Sequence, residues 1–306
     1  MKLQDHDEYL HLGYPRENLS PWKENYYFNF IDTTANCLGI FHVSIQRHKG
    51  TAILKAICVL DGNSFSYINE IEWPLYAGKN LSDSVVISDG VLTFEILEPF
   101  KRHRVLFDDS STRMNLIYEK RFDQYLYSNE GFTDNHGDKA LDVVHYEQGM
   151  SVNGDISIGS TITKISCLGH RDHTWGFRDE QNLGGWNWIA IQCDNSTWNF
   201  YQLRRNNGSP NSVAGFISYK DRNETIIDVQ VIDIQNNVDG EPVFCDYRVK
   251  LESGTVFNIS AERFIRMPIP FGGGVPVIHH ENFSNFLIKE TGEKGVGIDE
   301  HMIVST

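Results

Sequence analysis

The sequence predicts an all-β protein, built as an antiparallel barrel or sandwich, on three observations. Short runs alternate apolar and polar residues, as in Thr51 to Leu60, Val85 to Ile96, Thr225 to Ile234 and Tyr247 to Leu251. That period of two is the signature of a strand with one buried face. Turn pairs punctuate the runs, namely Asp61-Gly62, Asp89-Gly90, Asn153-Gly154 and Asn207-Gly208, and such residues accept the positive φ of tight hairpins. No long stretch carries apolar residues at helical spacing, which argues against β-α-β units.

A chain of 306 residues accommodates two medium domains, because single hydrophobic cores stop growing at roughly 250 to 300 residues. The segment Ser128 to Ala140, rich in Asn, Gly, Asp and Thr, is the most linker-like and divides the chain into residues 1–135 and 136–306. Each half opens on an aromatic strand followed by a return strand with Arg: Tyr26-Tyr27-Phe28-Asn29-Phe30 with Phe41 to Arg47, and Trp186-Asn187-Trp188-Ile189 with Trp198 to Arg204. A duplicated architecture is one reading of that echo, and two unrelated hairpins are the other.

Hydrophobic residues at 40% and aromatics at 12% supply a sizeable core and exclude a disordered chain. The net charge of -14 repels phosphate backbones and anionic bilayers, so nucleic acid is not an expected partner. No run approaches the roughly 18 apolar residues of a membrane span, and the N-terminus Met-Lys-Leu-Gln-Asp lacks a signal-peptide core; the expected location is the cytoplasm. Five cysteines without a Cys-x-x-Cys pair give no zinc or redox signature.

The chemistry concentrates in Gly169-His170-Arg171-Asp172-His173-Thr174-Trp175-Gly176-Phe177-Arg178-Asp179, where two Arg, two Asp, two His and a Trp fall within eleven residues. If the segment is extended, Arg171, His173 and Trp175 share one face and His170, Asp172 and Thr174 the other. A carboxylate facing an apolar cavity is pushed toward its neutral form and can donate a proton near neutral pH. Asp172 is the candidate, with His173 as relay or hydrogen-bond partner. The structural alternative is an ion-pair lattice of Arg171, Asp172, Arg178 and Asp179 with Trp175 as a core plug.

The run Gly-His-Arg-Asp-His-Thr-Trp-Gly at 169–176 resembles the Asp-His-x-Trp-Gly signature of the carotenoid 1,2-hydratase and AttH-like proteins, and more closely that of their uncharacterised bacterial relatives with Arg-Asp-His-Ser-Trp-Gly. Asn25-Tyr26-Tyr27-Phe28 after Trp22, His145-Tyr146-Glu147-Gln148-Gly149, and Gly297-Ile298-Asp299-Glu300 fit the same group. The resemblance implies two lipocalin-like, calycin-type barrels or half-barrels packed together around an apolar pocket. It also implies chemistry on an alkene, since its members include hydratases and fungal cyclisation catalysts. By motif, Asp172 takes the place of the protonating acid; Thr174 departs from the Asn or Ser usual there.

Protonating an alkene creates a carbocation, which aromatic faces stabilise. Trp175, Trp186, Trp188 and Tyr27 are the candidates for that contact, with Arg171 and Phe271 also assigned to the substrate. Phe271 lies in Pro268-Ile269-Pro270-Phe271-Gly272-Gly273-Gly274, where three glycines suit a flap. Glu147 is a second carboxylate, either a base that orients water or a solvated strand residue. A metal is not expected, because His170, Asp172 and His173, and the pair His279-His280, lack a zinc-like spacing, and adjacent strand residues point to opposite faces. No Gly-x-Ser-x-Gly elbow is present, which excludes the common serine-hydrolase arrangement. The expected activity is acid-catalysed hydration or dehydration, cyclisation or isomerisation of an isoprenoid- or polyene-like alkene, without a cofactor. The expected partner is a hydrophobic small molecule, with a homodimer admitted. The alternative is a carrier of an apolar molecule, for which no buried acid is needed.

Overall fold

The computed structural model describes residues 2–11, 22–73, 86–127, 131–133, 139–178, 184–205, 210–267 and 277–304. Among these the architecture is all-β, and the only helical segment is one 3-10 turn, Asp5–Glu8. Two compact units follow from the contacts: Met1–Glu130 with Asp142–Arg178, and Gly131–Leu141 with Asp179–Thr306.

The first unit is a curled sheet. Strands β1 (Trp22–Asp32), β2 (Cys37–Gln46), β3 (Thr51–Leu60) and β4 (Asn63–Glu72) pair in succession, as do β5 (Val86–Ser88), β6 (Leu92–Glu98), β7 (Arg102–Asp108) and β8 (Thr112–Lys120). The short β9 (Tyr125–Leu126) lies beside β11 (Lys139–Ile158), and β12 (Thr161–Arg178) follows; β10 (Gly131–Thr133) also pairs with β11, and residues 131–141 group with the second unit. The long hairpin β11-β12 joins the two blocks, because β12 pairs with β1 and β11 with β8. Residues 142–178, which the division at 135 assigns to the second half, therefore group with the first unit.

Local chemistry explains the hairpins. Asp61 and Gly62 both adopt positive φ, at 49° and 78°, between the paired Leu60 and Asn63, which is the two-residue loop with the twist that β-strands require. Asn153-Gly154, read from sequence as a turn, instead lies inside β11. There Gly154 faces β8 so closely that a Cβ would come within 2.0 Å of the Asn115 carbonyl oxygen, so this glycine serves a close approach of strands. Asn207-Gly208 lies outside the described residues.

The concave core of this unit is built from residues of one parity on each strand, including Tyr26, Phe28 and Phe30 on β1 and Phe41 and Val43 on β2. In the second unit β13 (Gly185–Cys193), β14 (Thr197–Arg204), β15 (Pro210–Ser218), β16 (Asn223–Asn236), β17 (Pro242–Leu251), β18 (Val256–Met267), β19 (Val277–Ile288) and β20 (Glu293–Val304) close into an eight-stranded barrel. Ile189, Trp198, Phe200, Tyr247 and Phe286 fill its interior, as expected for a small barrel packed with side chains. The two lipocalin-like units, one curled and one closed, match the fold that the motif implies.

Candidate functional site

The motif runs along β12, and its parity sorts its residues as an extended strand must. Arg171, His173 and Trp175 share a face with Tyr26 and Phe28 of β1, since β12 pairs His173 with Tyr26 and Arg171 with Phe28. That is the face of the apolar core. Asp172 pairs with Tyr27 and Thr174 with Asn25, which places them on the opposite face.

The core face holds a network of buried charges. Arg171 donates to both carboxylate oxygens of Glu8, at 2.6 and 2.9 Å, and to Gln148 at 3.1 Å. Glu8 also accepts from the Phe100 backbone N–H at 2.8 Å and lies 3.1 Å from His103 Nε2. Burial alone would raise Glu8, but the Arg171 charge and then His103 outweigh it and hold the carboxyl far below the usual range. His173 lies 3.0 Å from Glu24 through Nε2 and 2.9 Å from the Tyr146 hydroxyl through Nδ1. Burial pushes His173 below its ordinary value, against the pull of Glu24. A neutral ring therefore donates from Nε2 to the Glu24 carboxylate and accepts the Tyr146 hydroxyl at Nδ1. Trp175 stacks on His11 with ring centroids 3.8 Å apart and packs with Trp22, Phe100 and Tyr146.

These contacts correct two expectations. The relay from His173 to Asp172 is not formed, because both ring nitrogens of His173 are engaged on the other side of the sheet. Arg171 finds its counterion in Glu8, not in Asp172; Arg178 and Asp179, the other members of that lattice, have no described side chains. Arg171 and His173 are enclosed completely, so any contact with a substrate would need the network to open.

The opposite face is polar and also buried. Asn25, Asn29, His170, Thr174, His145 and Glu147 all lie under cover there, while Asp172 is half-buried. Glu147 is fully enclosed, not a solvated strand residue. Its two oxygens lie 2.6 Å from His170 Nε2 and 3.0 Å from His145 Nε2. Burial would raise its carboxyl, yet the hydrogen bonds and charges of these two histidines prevail and hold it at about 2. One carboxylate oxygen of Asp172, one of Glu147 and a ring nitrogen of His145 lie within 4.8 Å of one another. Two acids and an imidazole thus converge beside Tyr27, which pairs with Asp172 in register and whose ring is 6.5 Å from that of His42. Those three ligand atoms also have the spacing of a cation site. The apolar surround expected for Asp172 is not what its own sheet supplies, since its strand neighbours are amides, imidazoles and hydroxyls.

Trp186 and Trp188 stand in the second unit on β13, with parity opposite to the barrel interior; Trp186 Nε1 donates to Glu300 at 2.9 Å. Phe271 and the Pro268 to Gly274 run lie outside the described residues. The sequence singles out none of Glu8, Glu24 and His11. Glu24 alone left a signal: it shares the parity of Tyr26, Phe28 and Phe30, so a carboxylate sits in an otherwise apolar face.

The family profile described as a domain of unknown function, DUF7064, matches residues 4–304. The chain belongs to that family. No curated protein matches this DUF7064 chain in sequence. Its fold is shared with solved structures of low identity. One is an AttH protein from Nitrosomonas europaea, 14% identical, with a TM-score of 0.69 over 95% of this chain and 97% of the other. Another is kievitone hydratase from Nectria haematococca, 11% identical, with a TM-score of 0.62 over 92% and 89%. CghA with Sch210972 gives 11% identity and 0.67 over 93% and 89%.

Proposed function

We propose that this DUF7064 protein is an enzyme that protonates an alkene in a hydrophobic, isoprenoid- or polyene-like substrate, with Asp172 as the proton donor. The outcome is hydration or dehydration, cyclisation or isomerisation, according to what meets the cation. The observation that carries the reading is the pairing of half-buried Asp172 with fully buried Glu147, whose charge two histidines fix. A like charge on a neighbouring carboxylate favours a proton on its partner, and the Glu147 carboxylate in the same group as Asp172 supports the donor role in that way.

In the forward step the Asp172 O–H bond breaks as a C–H bond forms, leaving a carbocation and an Asp172 carboxylate. Tyr27 offers its ring to the cation, a contact worth on the order of 0.5 to 2 kcal/mol. In hydration, water adds to the cation and its surplus proton returns to Asp172. The shared fold with a protein named a hydratase supports the reading, and so does the motif that puts an acid at position 172. The polar character of the Asp172 face weighs against a simple apolar carrier.

The test begins with native mass spectrometry for a co-purified apolar ligand, followed by turnover of isoprenoid alcohols of increasing length in D2O. Wild type is expected to place one deuterium on carbon per turnover. Asp172→Asn should fold normally by circular dichroism and lose turnover by at least the roughly 10²- to 10⁴-fold that a general acid contributes. Unchanged activity in Asp172→Asn removes this residue from the reaction.

A further inference from the structure

Two histidines and a glutamate from three separate segments converge on the core face of the first unit. On that face Glu24 of β1 is paired with Trp175 of β12, and Tyr26 with His173. Diagonal neighbours across a strand pair are within reach of long side chains, and Glu24 Oε1 lies 3.0 Å from His173 Nε2. His11, from the segment before β1, brings its Nδ1 to 2.9 Å from the same oxygen. Glu24 stands 13 residues from His11 and 149 from His173, so no spacing along the chain reveals the group.

Each histidine has a second contact of the kind that orients a metal ligand, since a metal-bound imidazole usually donates from its other nitrogen to a carboxylate or another oxygen. His11 Nε2 is buried without a hydrogen-bond partner and faces Asp7 Oδ1 at 4.0 Å. His11 thus stands between two carboxylates. Either neutral tautomer turns a lone pair toward one of them, so the ring calls for a cation: a second proton, or a metal ion on Nδ1. With an ion on Nδ1 the hydrogen moves to Nε2, directed at Asp7. His173 has the Tyr146 hydroxyl 2.9 Å from Nδ1, and that hydroxyl is also within hydrogen-bond reach of Glu8. It can accept from His173 Nδ1 and donate to Glu8, which frees the Nε2 lone pair. The Trp175 ring, stacked on His11 at 3.8 Å, holds that imidazole in place.

An ion at this point needs no cavity, because it takes the place of the hydrogens that the two rings direct at Glu24. Tetrahedral zinc with ligands at about 2.0 to 2.1 Å holds those atoms about 3.3 Å apart. The separations of 2.9 and 3.0 Å reach that value by small outward shifts. The charges around the group are Asp7, Glu8 and Glu24 against two guanidiniums. Arg171 is paired with Glu8, while Arg47 donates to the His11 carbonyl at 2.8 Å and attracts Glu24 electrostatically. With the imidazoles neutral, one negative charge is left over, so a dication is drawn in despite Arg47. The three ligand atoms lie within 4.8 Å of one another, and two imidazoles with a carboxylate form a recurrent zinc donor set.

We propose that His11, Glu24 and His173 bind one divalent ion of the zinc class, which ties the N-terminal segment to β1 and β12. The site is structural. Glu24 and His173 are enclosed, while His11 keeps 17% of its side chain exposed, so the ion enters from the His11 side. An ion that binds the folded chain adds to its stability. The ligands of β1 and β12 stand on the face opposite Asp172, and the site stands or falls independently of the proposed reaction.

The test is calorimetric titration of the full-length protein, stripped with EDTA, with zinc chloride at pH 8, where competition from protons is weak. Wild type is expected to bind zinc with micromolar affinity or better and to gain several degrees in thermal midpoint, a gain that EDTA reverses. His11→Gln, at the partly exposed ligand, should lose one equivalent of zinc together with the gain in midpoint. Asp172→Asn and His279→Gln, each in a separate cluster of carboxylates and imidazoles, should keep both. Three results overturn the proposal: wild type binds no zinc, meaning that a proton alone serves His11; His11→Gln retains every equivalent; or zinc leaves the midpoint unmoved. Should His11→Gln fail to fold, X-ray absorption of the zinc-loaded Asp172→Asn protein decides, since two imidazoles on the metal are expected and one or none refutes the site.

Discussion

Glu8 and Arg171 lie 163 residues apart in the chain and meet through two parallel hydrogen bonds, 2.6 and 2.9 Å long, with both side chains fully buried. The pair ties the N-terminal segment to the strand that carries the motif. Replacing Glu8 by Ala strands a guanidinium in the core, and loss of one partner of a buried pair costs about 3 to 5 kcal/mol. Denaturant unfolding of Glu8→Ala should show that loss, whereas Glu98→Ala, at an exposed surface pair, should change stability by about 1 kcal/mol or less. Equal effects would contradict the network.

The same unit should be sensitive to acid. Glu8, Glu24 and Glu147 all have carboxyls held below the ordinary 4.5, the last at about 2. A group lowered in the folded state contributes stability that is complete above its unfolded value and fades as pH falls through the folded one. His103 and His173, lowered by burial, act in the same direction below pH 6.5, since the unfolded chain binds their protons more readily. Thermal midpoints are expected to fall steadily from pH 6.5 toward pH 2, and a flat profile would argue against these assignments.

Glu147→Gln should separate charge from shape beside Asp172. Removing a fixed negative charge makes a neighbouring acid ionise more easily. The alkaline limb of the pH-rate profile should therefore move to lower pH, with turnover retained on the acid side. A uniform loss at every pH would assign Glu147 a direct role in bond making.

In the second unit the sign reverses. His279 Nε2 lies 2.7 Å from Glu300 and 3.1 Å from Glu281. Burial would lower it, but these two carboxylates raise it from 6.5 to about 10. A raised histidine gives stability that is complete below 6.5 and is lost as pH climbs through about 10. The stability gap between wild type and His279→Gln should therefore close over that interval.

Trp175→Ala removes a ring stacked on His11 and packed in the cluster with Trp22, Phe100 and Tyr146. Large-to-small changes of this kind cost about 3 to 5 kcal/mol, to be read by denaturant unfolding. A loss of turnover without loss of stability would mean that Trp175 touches substrate instead of filling the core.

Much of the fold was legible because β-structure writes itself locally. Alternation in Thr51 to Leu60 and the Asp61-Gly62 pair specify a hairpin through side-chain parity and backbone φ, and both are found. Asn153-Gly154 misled because the same dipeptide that permits a turn also permits two strands to approach closely, and only the partner at Asn115 distinguishes the cases. His279 and His280 diverge to opposite faces, as adjacent strand residues must: His279 pairs with Glu300, while His280 shares the inward face of Asn282.

At the candidate site, the sequence by itself determined which motif residues stand together: His170, Asp172 and Thr174 on one face, Arg171, His173 and Trp175 on the other. An extended chain alternates wherever it is placed, so no further information was needed. Only the tertiary structure decided what each face meets. Arg171 binds Glu8, His173 binds Glu24, and Asp172 lies beside Glu147 and His145. A buried charge takes its counterion from whatever strand register brings near, and register between distant segments is set by the packing of whole sheets.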